Sequence, residues 1–231
     1  MLMRYISKKL FKPLCSNCQK PISVPDGLFC ENCFLGLLPL TPPLCIYCAK
    51  PITEGSVCGY CMLEKNQIFT GGVSIYEYAA TAASMIKKGK YGEIPWIFQR
   101  IGIALTDAAG KFNCDYVTGV PVSEETYRKR GFSHTDIISR TISSRDDNLK
   151  FISVAKRKHS PPQVSKNRSE RKILPLNEFI ITSPVPEGKI LIVDDVRTTG
   201  TTLNTYGNFL KNHGAKELFF LTFARSNLIK R

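Results

Sequence analysis

A chain of 231 residues can bury one sizeable core with a small appendage, and 43% hydrophobic content with 10% aromatics excludes a disordered polypeptide. No apolar run approaches the ~20 residues needed to span a bilayer. The formal net charge of +13 attracts polyanions; it is either general solubility charge or, more sharply, the mark of a nucleic-acid partner bound in a salt-sensitive way.

The opening MLMRYISKKLFKPL places lysines where a signal peptide needs its apolar centre, so it predicts no export and a cytoplasmic location. Eight of the nine cysteines fall within the first 61 residues as four C-x-x-C pairs: Cys15/Cys18, Cys30/Cys33, Cys45/Cys48 and Cys58/Cys61. In a reducing compartment such pairs bind zinc far more often than they form disulfides. Two intervening residues let both sulfurs face one ion, and two pairs complete a tetrahedron. Eight thiolates therefore predict two structural zinc sites, paired sequentially or crossed. Redox catalysis by one pair is the competing reading, but four tandem pairs resemble repeats of one ribbon unit. The expected module, a double zinc ribbon over residues 1–66, has little apolar core, so metal would supply much of its folding free energy. Turns at Pro21, Pro25-Asp26-Gly27, Pro42-Pro43 and Pro51 suit knuckles and short hairpins.

Gly71-Gly72 reads as a hinge into a second unit over residues 71–231. Alternation over 73–78 predicts a strand, and helical spacing follows at 79–88 and 94–109, with Trp96 as a packing residue. Cys114, alone in a strand-like stretch, reads as a small buried residue. Residues 116–121 predict a buried strand ending at Pro121, and Ser133 with Asp136 suits a helix capping box. Between them Arg128, Lys129 and Arg130 form either a solvated basic turn or an anion contact. The stretch 156–172 carries seven basic residues, one acid and two prolines. That composition predicts a mobile loop: a plain connector, a lid, or a surface for DNA. It contains Lys156, Arg157, Lys158, Gln163, Lys166, Arg168 and Arg171.

Residues 190–203, ILIVDDVRTTGTTL, carry the sharpest signal. Ile190 to Val193 suit a strand buried on both faces, and Leu203, Tyr206, Phe209 and Leu210 recur at helical spacing before Gly214. The loop between them lies at a strand's carboxyl end, where open α/β sheets place ligands. Thr198, Thr199, Gly200, Thr201 and Thr202 offer amides and hydroxyls at a helix N-terminus, which suits a phosphate. Asp194 and Asp195 would repel that phosphate, so they call for sugar hydroxyls or a cation. An ordinary turn whose acids cap the helix is the alternative.

The stretch resembles the phosphoribosyl pyrophosphate (PRPP) signature of type I phosphoribosyltransferases. With the C-x-x-C pairs, IKKGKYGE, VPVSEETYRKRGFSH and Q-(x)4-R-(x)2-R, nearly the whole chain resembles the ComF family. That resemblance implies an α/β fold: a phosphoribosyltransferase-like domain with a central, mostly parallel sheet, behind an N-terminal zinc module. It also implies a role in DNA uptake during natural transformation, with PRPP, single-stranded DNA and a DNA-uptake helicase or channel component as partners. Asp194 and Asp195 would be the catalytic pair holding the ribose, with Mg²⁺ accompanying PRPP. Residues 198–202 would hold the 5′-phosphate, and Arg128, Arg130 and Lys90 the pyrophosphate. Ser133-His134 departs from the family's more common Asn-Gln. Two alternatives stand beside this reading: a metabolic phosphoribosyltransferase acting on a nucleobase or amine, and a non-enzymatic zinc-dependent adaptor with a regulatory PRPP site.

Overall fold

Two apolar segments have both faces to bury, and they lie side by side in the middle of a sheet. In the computed structural model, which describes residues 14–15, 17–22, 29–64, 67–92, 94–158 and 178–226, these are β6 (Lys189–Arg197) and β7 (Glu217–Arg225). They pair in parallel from Lys189↔Glu217 to Arg197↔Arg225. The other strands of this sheet are β1 (Gly71–Glu77), β2 (Tyr116–Gly119) and β3 (Lys150–Phe151), in the order β1-β7-β6-β2-β3, every pair parallel. Alternate β6 residues serve two cores. Leu191 and Val193 pack beneath α3 (Ala80–Tyr91), α4 (Trp96–Gly110) and α6 (His134–Ser143), with Met85, Phe98, Ile101 and Ile138. Ile190 and Ile192 face α7 (Thr201–Asn212), meeting Leu203, Tyr206 and Leu210. A separate antiparallel pair, β4 (Ala155–Arg157) and β5 (Phe179–Ile181), flanks the sheet near the end of β2, where Arg157 bridges to Ser123.

The cysteine-rich end is built from one unit used twice. In each copy the first cysteine's amide bonds five residues ahead: Cys15 to Lys20 O at 2.9 Å and Cys45 to Lys50 O at 2.8 Å. Each copy then enters a one-turn helix, α1 (Glu31–Leu35) after Cys30 and α2 (Gly59–Leu63) after Cys58. The segment between the copies docks on the sheet edge, with Leu40 N–H donating to Ile75 O at 2.9 Å and Glu77 N–H to Leu38 O at 2.7 Å.

The hinge expected at Gly71-Gly72 is corrected. Both residues lie within β1, paired with Phe219 and Phe220. A side chain at Gly72 would collide with the Phe220 ring, so the glycine admits a close ring contact and not a bend. The basic turn at 128–130 is likewise the end of a short helix, α5 (Glu124–Arg130), capped by Ser123 and closed by Gly131 at φ 77°. The N-terminal stretch 1–13, the turn at Pro25-Asp26-Gly27, and Gln163, Lys166, Arg168 and Arg171 lie outside the described residues.

Candidate functional site

The cysteines converge in two groups, Cys15/Cys18/Cys30/Cys33 and Cys45/Cys48/Cys58/Cys61, with the sulfurs of each group within 4.8 Å of one another. The pairing is sequential. Four converging thiols, with no further His, Asp or Glu in either group among the described residues, fit structural zinc, and they fit a redox pair poorly. Burial would raise the Cys15 thiol, but amides of Cys18, Cys30 and Asn17 outweigh it and bring it down to about 6. Cys45 falls to about 7 against burial, under the amides of Cys58, Tyr47 and Cys48. Each group thus holds one thiol ready to bind as thiolate, as metal ligation requires. Burial pushes Cys114 up to about 12, the state of an inert core thiol.

The second site is a cleft of about 400 Å³ over the carboxyl ends of β6 and β2. Beyond β2, the Thr135 hydroxyl donates to Val120 O at 2.8 Å, and a side chain at Gly119 would come within 2.6 Å of the Thr135 backbone. That close approach brings the N-terminus of α6, capped by the Ser133 hydroxyl, against β6. His134 at its first position thereby reaches Asp195, Nε2 to Oδ1 at 3.4 Å. From α3, Lys90 Nζ lies 2.7 Å from Asp195 Oδ2, off the line a hydrogen bond would need.

The two acids therefore differ. Asp195 is 3% exposed. Burial works against its charge, but His134 and Lys90 prevail and hold it well below the usual carboxylate range. Asp194 is half-buried and accepts the Asp195 amide at 2.9 Å. Burial, then repulsion from Asp195, pushes it up to about 8. The two carboxyls titrate as a coupled pair, and their surroundings favour the negative charge on Asp195 over Asp194.

Gly200 opens α7 at φ 83°. The first intrahelical bond runs from Asn204 N–H to Gly200 O at 2.8 Å, so the amides of 201–203 precede the helical ladder. Thr198 and Thr202 line the cleft, whereas the Thr199 and Thr201 hydroxyls bond each other at 2.8 Å.

Of the basic residues singled out in the sequence, Lys90, Arg130 and Arg157 line the cleft. Arg130 stacks over the Tyr91 ring at 5.4 Å, and Arg157 Nε donates to buried Glu178 at 2.7 Å. Arg128 turns away, paired with Glu124 at 2.6 Å on the exposed side of α5. Lys156 and Lys158 flank Arg157 but do not line the cleft. Sequence reasoning gave no role to His134, Lys87 or Thr126, which also line it. The capping serine that fixes His134 was the one available signal.

A double zinc ribbon domain model matches residues 6–62, and a phosphoribosyl transferase domain model matches residues 128–227. The chain is 24% identical over 202 residues to Competence protein ComFC of Streptococcus pneumoniae, covering 87% of this chain and 89% of that protein. It is 24% identical over 224 residues to Competence protein F of Haemophilus influenzae, covering 92% and 96%. DNA utilization protein YhgH of Escherichia coli K12 is 26% identical over 212 residues, covering 87% and 92%. Over most of its length the chain is thus similar to competence and DNA utilization proteins. It has a phosphoribosyltransferase fold with a central parallel sheet, joined to an N-terminal double zinc ribbon with two four-cysteine zinc sites. His134 lies inside the cleft and braces the second acid of the motif.

Proposed function

We propose that this chain binds PRPP with Mg²⁺ at the β6 cleft and single-stranded DNA on its basic surface, and that it handles DNA taken up in natural transformation. We take residues 1–66 as its zinc module and 71–231 as its ligand-binding domain. The observation that carries the reading is the division of labour between the two acids. Asp195 is spent on Lys90 and His134, which leaves the Asp194 carboxyl facing the cleft beside the first amides of α7.

Asp194 would hold the ribose hydroxyls, with Asp195 fixing its position through the shared backbone. The amides and hydroxyls of 198–202 would hold the 5′-phosphate at the positive end of α7. Arg130, with Lys87 and Arg157 near it, would face the pyrophosphate and stabilise its charge. Lys90 would act through Asp195. Arg128, turned to solvent, belongs with the DNA-facing charge. Asp194, on losing its proton, would be the donor for Mg²⁺, and the ion would neutralise pyrophosphate charge. The names of the relatives, competence and DNA utilization proteins, support the biological role.

Calorimetry of the full chain with PRPP and Mg²⁺ tests the site: one ligand per chain is expected, with binding lost in Asp194→Asn. Undiminished affinity in that variant would place the ligand elsewhere. Anisotropy with a short single-stranded oligonucleotide tests the second ligand; affinity should fall steeply with salt. No binding at low salt would end the DNA half of the proposal.

A second reading, a zinc-dependent adaptor regulated by PRPP, is favoured by apolar side chains left exposed on the ribbon: Phe34 and Leu35 on α1, and Tyr60, Met62 and Leu63 on α2. Capture of a DNA-uptake helicase by the wild type, lost in Leu35→Asp with Leu63→Asp, would favour it. Equal capture by both would count against it.

A further inference from the structure

Arg197 is a cation in an unusual place. It is 4% exposed, at the end of β6, two residues past Asp195. Among the described residues no carboxylate pairs with it. Its best polar contact is Nη2 to Asn204 Oδ1 at 3.4 Å, and its Nε and Nη1 have no partner. The guanidinium lies on the Phe220 ring at 4.3 Å. Its strand neighbour across β6–β7 is another arginine, Arg225, which also forms no carboxylate pair among the described residues. Like charges side by side on adjacent strands repel, and a buried cation without a counter-charge is costly. A negative partner is required.

The second four-cysteine group supplies one. Arg225 Nη1 donates to Cys48 O at 2.5 Å, inside the knuckle that holds Cys45 and Cys48. Ala49 of that knuckle is fully buried in the same core as Phe69 and Phe220. Burial, then Arg225, pushes the Arg197 pKa down to about 10, and the nearby thiols of Cys48, Cys61 and Cys45 act in the opposite sense. A zinc ion held by four thiolates carries about two negative charges. Two arginines at the sheet end match that charge.

Arg197 also touches the ligand loop. A side chain at Gly200 would come within 2.8 Å of Arg197 Nη2, so the loop turns directly over the guanidinium, and Arg197 contacts Asn204 in the first turn of α7. Arg197 thus lies beneath the loop and beside Arg225, which contacts the knuckle of the second cysteine group.

We propose that Arg197 and Arg225 are the counter-charges of the second zinc centre, and that through Arg197 this centre holds loop 198–202 in shape. The ligand served by that loop rests on the PRPP reading above; the coupling does not. Arg197 is a positioning residue, and the zinc ribbon is an integral part of the neighbouring site.

The test uses the full chain loaded with zinc. Zinc release to a colorimetric chelator is followed in wild type, Arg197→Met, Arg225→Met and Arg197→Lys. Methionine keeps much of the packing and removes the charge, so one of the two zinc ions should leave about 10-fold faster in either methionine variant, the usual scale for an outer-shell partner. Arg197→Lys should restore most of the retention, which a packing role on Phe220 would not predict. Wild-type release rates in both methionine variants would overturn the counter-charge assignment, and half-exposed Arg225 keeps the test open if Arg197→Met does not fold. Hydrogen exchange at the Asn204 amide, which donates to Gly200 O in the loop, is then compared between wild type and Cys58→Ser. Faster exchange in the variant is expected, and unchanged protection would overturn the link to the loop. Neither readout uses PRPP, so a failure of PRPP to bind would sink the PRPP reading without touching the coupling.

Discussion

Removing the Lys90 charge should expose how tightly the second acid is held. Asp195 is 4% exposed in its side chain and Lys90 21%, with charged atoms 2.7 Å apart. At an effective dielectric near 20 the gross attraction is about 6 kcal/mol. Desolvation of two ions takes back much of that, and partial exposure of Lys90 leaves some screening, so the net coupling should be ~2 kcal/mol. Lys90→Met, Asp195→Asn and the double variant form the cycle, unfolded in urea at pH 7 with zinc present. The single tryptophan, Trp96, packs against the main core and reports this domain selectively. The pH choice follows from the sign of the shift. A depressed carboxylate contributes stability above its unfolded pKa near 3.8, and that stability is lost as pH falls below it, so pH 7 lies on the plateau. A coupling below ~0.5 kcal/mol, the level of an exposed pair, would refute the brace.

Two further outcomes follow from the same structure. Asp194 has the opposite sign: its folded pKa is raised to about 8, so its contribution is complete below about 4 and is lost as pH rises through 8. The wild-type melting temperature should therefore drop between about pH 4 and 8 more than that of Asp194→Asn; parallel profiles would mean that Asp194 is not the protonated partner. Cys15→Ser should reduce the zinc content of the purified chain from two ions to one, read by mass spectrometry, and two retained ions would remove Cys15 from the ligand set.

Much of this was legible in the sequence, because local patterns carried it. Four C-x-x-C pairs specify two four-cysteine groups almost alone, and an apolar run of four followed by acids and threonines specifies a buried strand, a loop and a helix. What was not legible depends on long-range approach. The meeting of His134 and Asp195 requires α6 to press on Gly119, a contact no periodicity records. The difference between Asp194 and Asp195 comes from His134 and from Lys90, the latter more than a hundred residues away in the chain. Gly71-Gly72 looks like a hinge until Phe220 is known to lie against it. Arg197 sits unremarked inside the motif, and only the fold sets it between a thiolate centre and the loop.

The most direct measurement is a crystal structure of the full chain with PRPP and Mg²⁺ bound. The 5′-phosphate should lie over the amides of residues 198–202, with the ribose hydroxyls on the Asp194 carboxyl and Asp195 still joined to Lys90 and His134. PRPP bound away from the end of β6, or Asp194 turned from the sugar onto a neighbouring side chain, would contradict the account.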